Sequence, residues 1–287
     1  MDDRKFDAWL TAYKPLKREI SGSGYPDDVR GRSFTELHAY RYRFTLGKLT
    51  EAISLQPGDS VLDIGPFPGG WPSLLREYYD RRLRIDLIGL GMTSEFREKF
   101  DSPDIRFFDF DIDGENPACK NPGREIPLAS GRYRAVFLLE TIEHLFNPLP
   151  ALRKIRESLT RDGLLLLTTD NPLWFGFAYQ ALCRRRSPWG PVQESPIFNN
   201  SDWRPHIRLY SPADLVYLLS HAGLRIIVST YFNDYFGLYA LKNGKLKYRL
   251  GTKPMLSKLL SMTLPDRLWA NRLLVIAKAA DDPGQNG

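Results

Sequence analysis

From Ser60 onward, short apolar runs alternate with amphipathic stretches. VLDI at 61–64 is followed by WPSLLREYY at 71–79, RIDLIGL at 84–90 by TSEFREKF at 93–100, and IRFFDF then fills 105–110. AVFLLE at 135–140 precedes PLPALRKIRESL at 148–159; LLLLTT at 164–169 comes before SPADLVYLLSHAG at 211–223 and LRIIVS at 224–229. NRLLVIAKA at 271–279 reads as a last strand, with PMLSKLLSM at 254–262 as a small amphipathic helix before it. Strand-like runs alternating with helices predict βαβ units and a doubly wound parallel sheet, an α/β fold with helices on both faces. Upstream, residues 4–20 and 33–54 read as helices, the second carrying Phe34, Leu37, Phe44, Leu49 and Ile53 among polar positions.

The pattern divides the chain into an N-terminal helical cap over 1–54, a sheet domain over 55–280 and a flexible tail over 281–287. Two stretches, at about 172–206 and 231–262, break the alternation. Connections of that length are usually functional, and their position predicts a lid over one edge of the sheet.

Composition narrows the class. A hydrophobic fraction of 43% is ample for one sizeable core. The N-terminus is charged from Asp2, so it does not read as a signal peptide, and no apolar run reaches the roughly 20 residues of a membrane helix. Two distant cysteines, Cys119 and Cys183, fit a reducing compartment. A cytoplasmic protein is the expectation. The net charge of +6 gathers in Arg184, Arg185 and Arg186 and in Lys242, Lys245, Lys247, Arg249, Lys253 and Lys258. It admits an anionic partner: a phosphorylated or nucleotide-linked acceptor, a nucleic acid or a membrane surface.

The stretch VLDIGPFPGG at 61–70 is a strand entering a glycine-bearing turn. Glycines Gly65, Gly69 and Gly70 miss the dinucleotide spacing, and no lysine completes a phosphate loop. Such a turn, at the carboxyl edge of a doubly wound sheet, nonetheless suits a polar or anionic ligand.

Five segments taken in order are more specific: VLDIGPFPGG, LIGLGMTSEF, IRFFDFDID, YRAVFLLETIEHLFNP and LRKIRESLTRDGLLLLTTDNP. Together they resemble the class I S-adenosylmethionine-dependent methyltransferases, most nearly the subgroup with Glu-x-x-Glu-His-Leu after the fourth strand. The likeness covers roughly residues 33–230 plus the final strand. It implies a Rossmann-like, seven-stranded sheet with an antiparallel last strand and S-adenosyl-L-methionine as cofactor. It carries Asp63, Gly65 and Gly69 to the amino-acid end of that cofactor, Asp111 with Ile112 to the adenine, and Leu139 and Glu140 to the sulfonium. Gly91 and Met92, after the second strand, complete the set. Phe67 stands where a second glycine is usual, between two prolines that lack a donor, so this loop should hold the cofactor by shape. Gly91 stands where an acid normally grips the ribose, with Glu95, Thr93 or backbone groups as its replacements, and Arg134 replaces a commonly acidic residue.

If 140–146 opens a helix, Glu140, Glu143 and His144 share a face, and His206 returns to the same edge. This quartet is similar to the magnesium or manganese site of small-RNA 2′-O-methyltransferases and of ubiquinone-pathway O-methyltransferases, where the metal binds acceptor hydroxyls. Without metal, Glu143 and His144 anchor the turn or line the acceptor site, Glu140 borders the transferred methyl, and His144 or His206 is the candidate general base. Trp174, Phe175, Phe177, Tyr179, Trp189 and Trp203 either wall an acceptor pocket or pack the insertion. Tyr40, Arg41 and Tyr42 either close over the cofactor or pack.

The resulting expectation is a methyltransferase acting on oxygen of a small-molecule, sugar-linked or phosphorylated acceptor in a biosynthetic pathway. The alternatives are an RNA 2′-O-methyltransferase with a metal site, and a non-catalytic binding protein on the same fold.

Overall fold

The apolar runs assemble into one seven-stranded sheet. The computed structural model describes residues 1–19, 33–90, 92–114, 127–178, 206–234, 238–242, 245–249 and 265–280. Its strands are β1 Ser60–Ile64, β2 Arg84–Gly89, β3 Ile105–Asp109, β4 Tyr133–Leu139, β5 Leu159–Asp170, β6 Leu224–Phe232, β7 Leu238–Lys242, β8 Lys245–Arg249 and β9 Arg272–Ala279. The order across the sheet is β3-β2-β1-β4-β5-β9-β6, with β9 antiparallel to both neighbours. β7 and β8 form a separate antiparallel hairpin within the second insertion. That hairpin is absent from the sequence reading, and β6 continues to Phe232, inside the range assigned to the insertion.

The helices are α1 Asp3–Ala12, α2 Phe34–Leu37, α3 Ala39–Ala52, α4 Gly70–Tyr78, α5 Ser94–Lys99, α6 Pro148–Ser158, α7 Pro212–His221 and α8 Asp266–Trp269. Strand residues alternate between two cores. Val61, Ile85, Phe137 and Leu166 pack with Phe6, Leu46, Leu74 and Phe96 from α1, α3, α4 and α5. Leu62, Ile64, Val136 and Leu167 pack with Leu152, Ile155, Leu215 and Leu219 from α6 and α7.

The cap departs from its predicted helices. α1 ends at Ala12, with Tyr13 extended and Pro15 ahead, and the chain resumes as a 3-10 turn at Lys17–Glu19. The helix expected over 33–54 breaks at His38. A capping box between Ser33 and Glu36 starts α2. His38 Nδ1 then meets Asp234 Oδ2 at 2.7 Å, and α3 restarts at Ala39.

β1 lies between β2 and β4, so the sheet's winding reverses between β1 and β4. Ligands bind beyond the carboxyl ends of strands at such a switch point. The loop after Ile64 and the turn after Leu139 are therefore neighbours.

Candidate active site

The two turns interlock. The Thr141 hydroxyl sits 3.0 Å from the Ile64 carbonyl and 3.2 Å from that of Leu139. Gly65 has φ of +75°, and a Cβ there would fall 2.5 Å from Thr141 Oγ1, so a side chain is excluded on both counts. Gly69, at φ of +98°, caps α4 and leaves no room for a Cβ against the Phe100 ring. The loop's amides are largely spent: Gly65 N donates to Ile88 O and Gly69 N to Pro66 O, while Pro66 and Pro68 have none.

Two clefts meet at this loop. The first, about 880 Å³ including its solvent-open mouth, is lined by Ile88, Gly89, Met92, Phe110, Asp111 and Ile112 on its far side. The second, about 1110 Å³ on the same measure, is lined by Phe34, His38, Arg41, Tyr42, Asp63, Leu139, His206 and Arg272. Gly65, Pro66, Phe67, Glu140 and His144 border both.

Glu140 bends the chain at this junction in the left-handed region, at φ of +52°. Its Oε2 lies 3.1 Å from Arg41 Nη1 and 2.9 Å from Arg272 Nη1. Burial alone would raise its carboxyl, but the Arg272 and Arg41 guanidiniums outweigh burial and hold it down at about 2. Arg272 also contacts Asp170, and its Nε lies 3.7 Å from Asp234 Oδ2.

Beside this network, His206 Nδ1 stands 3.2 Å from Asp170 Oδ2, and its ring meets that of His144 edge-on at 4.7 Å. Glu143 is buried, accepts from the Thr169 hydroxyl at 3.0 Å, and uses its carbonyl to hold Ile207 N at 2.7 Å, which fixes the approach of His206. Burial, reinforced by Glu140, pushes the Glu143 carboxyl up to about 7. Ligand atoms of Glu143, His144 and His206 all lie within 4.8 Å of one another.

A methyltransferase-domain family model matches residues 37–229, which span both turns and the sheet they sit on. The chain belongs to the class I S-adenosylmethionine-dependent methyltransferases. Solved structures agree on the fold. A Haloferax volcanii methyltransferase in complex with the Trm112 methyltransferase activator is 14% identical, with 96% of this chain and 98% of that one covered at a TM-score of 0.58. The geranyl diphosphate C-methyltransferase of Streptomyces coelicolor A3(2), solved with Mg2+, geranyl diphosphate and S-adenosyl-L-homocysteine, is 14% identical, covering 97% and 98% at 0.55. An S-adenosylmethionine-dependent methyltransferase from Mesorhizobium loti is 14% identical, covering 84% and 97% at 0.51. No curated protein matches the chain.

The residues of this methyltransferase fit its cofactor. Asp63 is 2% exposed, burial pushes its carboxyl up to about 8, and its Oδ2 has no hydrogen-bond partner among the described residues. A buried, unsatisfied carboxylate on a cleft wall is costly unless a ligand cation completes it. The cofactor's ammonium would do so. Asp63 lines only the second cleft, whereas Met92, Asp111 and Ile112 line only the first. Asp63 would thus take the amino-acid end and the other three the adenosine, an arrangement that would leave the sulfonium near the junction residues Glu140 and His144.

Several expectations about the site change. Residues 140–146 do not open an α-helix: a 3-10 turn, Ile142–His144, stands there. Asp113 accepts from Phe146 N at 2.7 Å and Asn147 N at 3.1 Å, and Pro148 then starts α6, so the chain extends before a helix can grow. Glu140 consequently lies outside the Glu143–His144–His206 cluster, its carboxylate occupied by two arginines. Gly91 lies outside the described residues, and neither of the two side chains named as its replacement lines either of these clefts. Thr93 caps α5 through Phe96 N, and Glu95 accepts from Lys17 N at 3.1 Å. Arg134 faces Asp59 at 3.9 Å, near the opposite ends of the strands. Trp174 is buried and packs on Phe175 and Phe177; Tyr179, Trp189, Trp203, the triple arginine, helix 254–262 and the tail fall outside the described residues. His38, Asp170, Asp234 and Arg272 escaped the sequence reading. For Asp170, Asp234 and Arg272 the only signal was a charged residue at the mouth of an apolar strand; His38, inside an apolar helical periodicity, had none. No helix among the described residues is long and apolar enough to cross a membrane.

Proposed function

We propose that this methyltransferase modifies a hydroxyl oxygen of a small or sugar-linked acceptor in a biosynthetic pathway, with the acceptor in the second cleft and His206 as general base. The observation that supports it most is the Asp170–His206 pair, 3.2 Å apart, whose imidazole lines that cleft and lies edge-on to His144 at the junction. Bound cofactor supplies a methyl group on a positively charged sulfur. A neutral hydroxyl is a weak nucleophile, so its proton must leave as the oxygen–carbon bond forms. With Nδ1 against Asp170, His206 keeps Nε2 for that proton, and Asp170 stabilises the resulting imidazolium. Glu140, held ionised by its arginines, faces the sulfonium charge. A neutral amine acceptor already carries its lone pair and needs no such base. The test is methyl incorporation into hydroxyl-bearing acceptors by the wild-type enzyme and by His206→Asn: loss of transfer with intact cofactor binding supports the reading, and equal rates sink it.

A second reading follows from the cluster of Glu143, His144 and His206. These residues would hold a divalent cation that acidifies the acceptor hydroxyl directly, a site that also suits an RNA 2′-hydroxyl on a protein of net charge +6. Chelation separates the two readings: metal-dependent transfer favours the cation, metal-independent transfer the imidazole.

A further inference from the structure

The prolines of the glycine turn leave a question that α3 answers. In a glycine-rich turn, backbone amides ordinarily face the anionic end of a ligand. Here the amides of Gly65 and Gly69 are committed to carbonyls and two of the five positions over 65–69 are proline, so the turn has few amides of its own to offer. The amino-acid end of S-adenosylmethionine carries a carboxylate as well as an ammonium, and Asp63 serves only the ammonium.

Among the described residues, Arg41 and Arg272 are the cations that line the second cleft with Asp63, apart from the histidines. Arg272 is engaged with three carboxylates, Glu140, Asp170 and Asp234. Arg41 has one, Glu140, which it shares with Arg272. Arg41 is 3% exposed, and its Nε has no hydrogen-bond partner among the described residues. Its guanidinium lies 5.4 Å from the Phe34 ring centre and 5.7 Å from that of Tyr42, both walls of the same cleft. The fork is thus fixed on two sides with donors to spare, as bidentate recognition of a carboxylate requires. His38 also lines this cleft, but burial lowers its pKa and its Nδ1 is bound to Asp234, so it is a poorer anion partner.

We propose that Arg41 binds the carboxylate of S-adenosylmethionine, replacing the amide donors that Pro66 and Pro68 removed, so that the N-terminal cap completes the cofactor site. Glu140 positions Arg41 for this while facing the sulfonium. The inference rests on the cofactor site alone and not on the acceptor proposed above, so acceptor screening can fail without touching it.

The experiment compares three ligands by calorimetry: S-adenosylmethionine, its decarboxylated analogue, and 5′-methylthioadenosine, which lacks the amino-acid end. The wild-type protein should bind the decarboxylated analogue about 10- to 100-fold more weakly than the cofactor. Arg41→Gln should weaken the cofactor by a similar factor, abolish that discrimination, and leave 5′-methylthioadenosine within about twofold. Arg41→Lys, which keeps the charge without the fork, should retain part of the discrimination. Undiminished 5′-methylthioadenosine binding also reports that the variant is folded. Wild-type protein that binds the cofactor and its decarboxylated form equally would overturn the proposal without any substitution. So would an Arg41→Gln variant that loses 5′-methylthioadenosine as severely as the cofactor, because Arg41 would then act by packing.

Discussion

His206 Nδ1 stands 3.2 Å from Asp170 Oδ2, and this pair joins the end of the first insertion to the carboxyl end of β5. The carbonyl of Glu143 secures the same loop through Ile207 N, so the imidazole is held from two strand ends. His206→Asn should therefore lower kcat by about 100-fold or more, the scale of a lost general base. Cofactor affinity should stay within about twofold, because the account assigns His206 to the acceptor proton and the cofactor's charged end to Asp63 and Arg41. Steady-state kinetics alongside calorimetry check both halves.

Asp63 gives a pH signature. Its folded-state pKa, about 8, is above the ordinary 3.8. The folded protein holds this proton more tightly than the unfolded chain, so apo stability falls as pH rises from 3.8 towards 8. Cofactor binding runs the other way, because the ammonium favours the ionised carboxylate and a proton leaves on binding. Affinity should rise by up to about tenfold per pH unit between roughly 6 and 7.5. Asp63→Asn should flatten that dependence, weaken binding, and raise the apo Tm at pH 8 by on the order of 5 °C. Titrations in buffers of differing ionisation enthalpy count the released proton.

Gly65→Ala tests the interlocked turns. The substitution forces a side chain at φ of +75° and a Cβ 2.5 Å from Thr141 Oγ1. A destabilisation of about 1–3 kcal/mol is expected from the backbone alone, with cofactor binding lost as Thr141 is displaced. Denaturant unfolding and calorimetry measure the two effects.

The cation reading has its own outcome. Under the general-base account, transfer survives exhaustive chelation, and Glu143→Gln retains cofactor binding. Under the cation account, chelation abolishes transfer, magnesium or manganese restores it, and Glu143→Gln requires more metal for the same rate.

The sheet was legible because its strands are apolar runs of distinct length, and Val61, Leu62 and Ile64 are buried as a central strand demands. The hairpin is also written in the chain: Asn243 and Gly244 stand in the sequence between strands paired at Lys242 and Lys245, the strongest short hairpin signal. The helix break at His38 was not legible, since apolar periodicity runs through it and the break coincides with a side-chain hydrogen bond between His38 and Asp234, distant in sequence. The same holds for the site. Local motifs singled out Asp63, Gly65 and Asp111, but the partnership of Glu140 with Arg41 and Arg272 depends on three elements meeting. Glu140 shares no helix face with Glu143 and His144, because Asp113 accepts from the amides of Phe146 and Asn147 and the chain extends there.

The central claim is that the methyl group goes to oxygen. The most direct measurement supplies S-adenosylmethionine labelled with carbon-13 at the methyl group, offers hydroxylated small-molecule and glycan acceptors, and reads the product by carbon NMR and mass spectrometry. The account predicts an O-methyl ether whose formation is lost in His206→Asn. A label found on nitrogen or carbon, formed as fast by His206→Asn as by the wild-type enzyme, would contradict it.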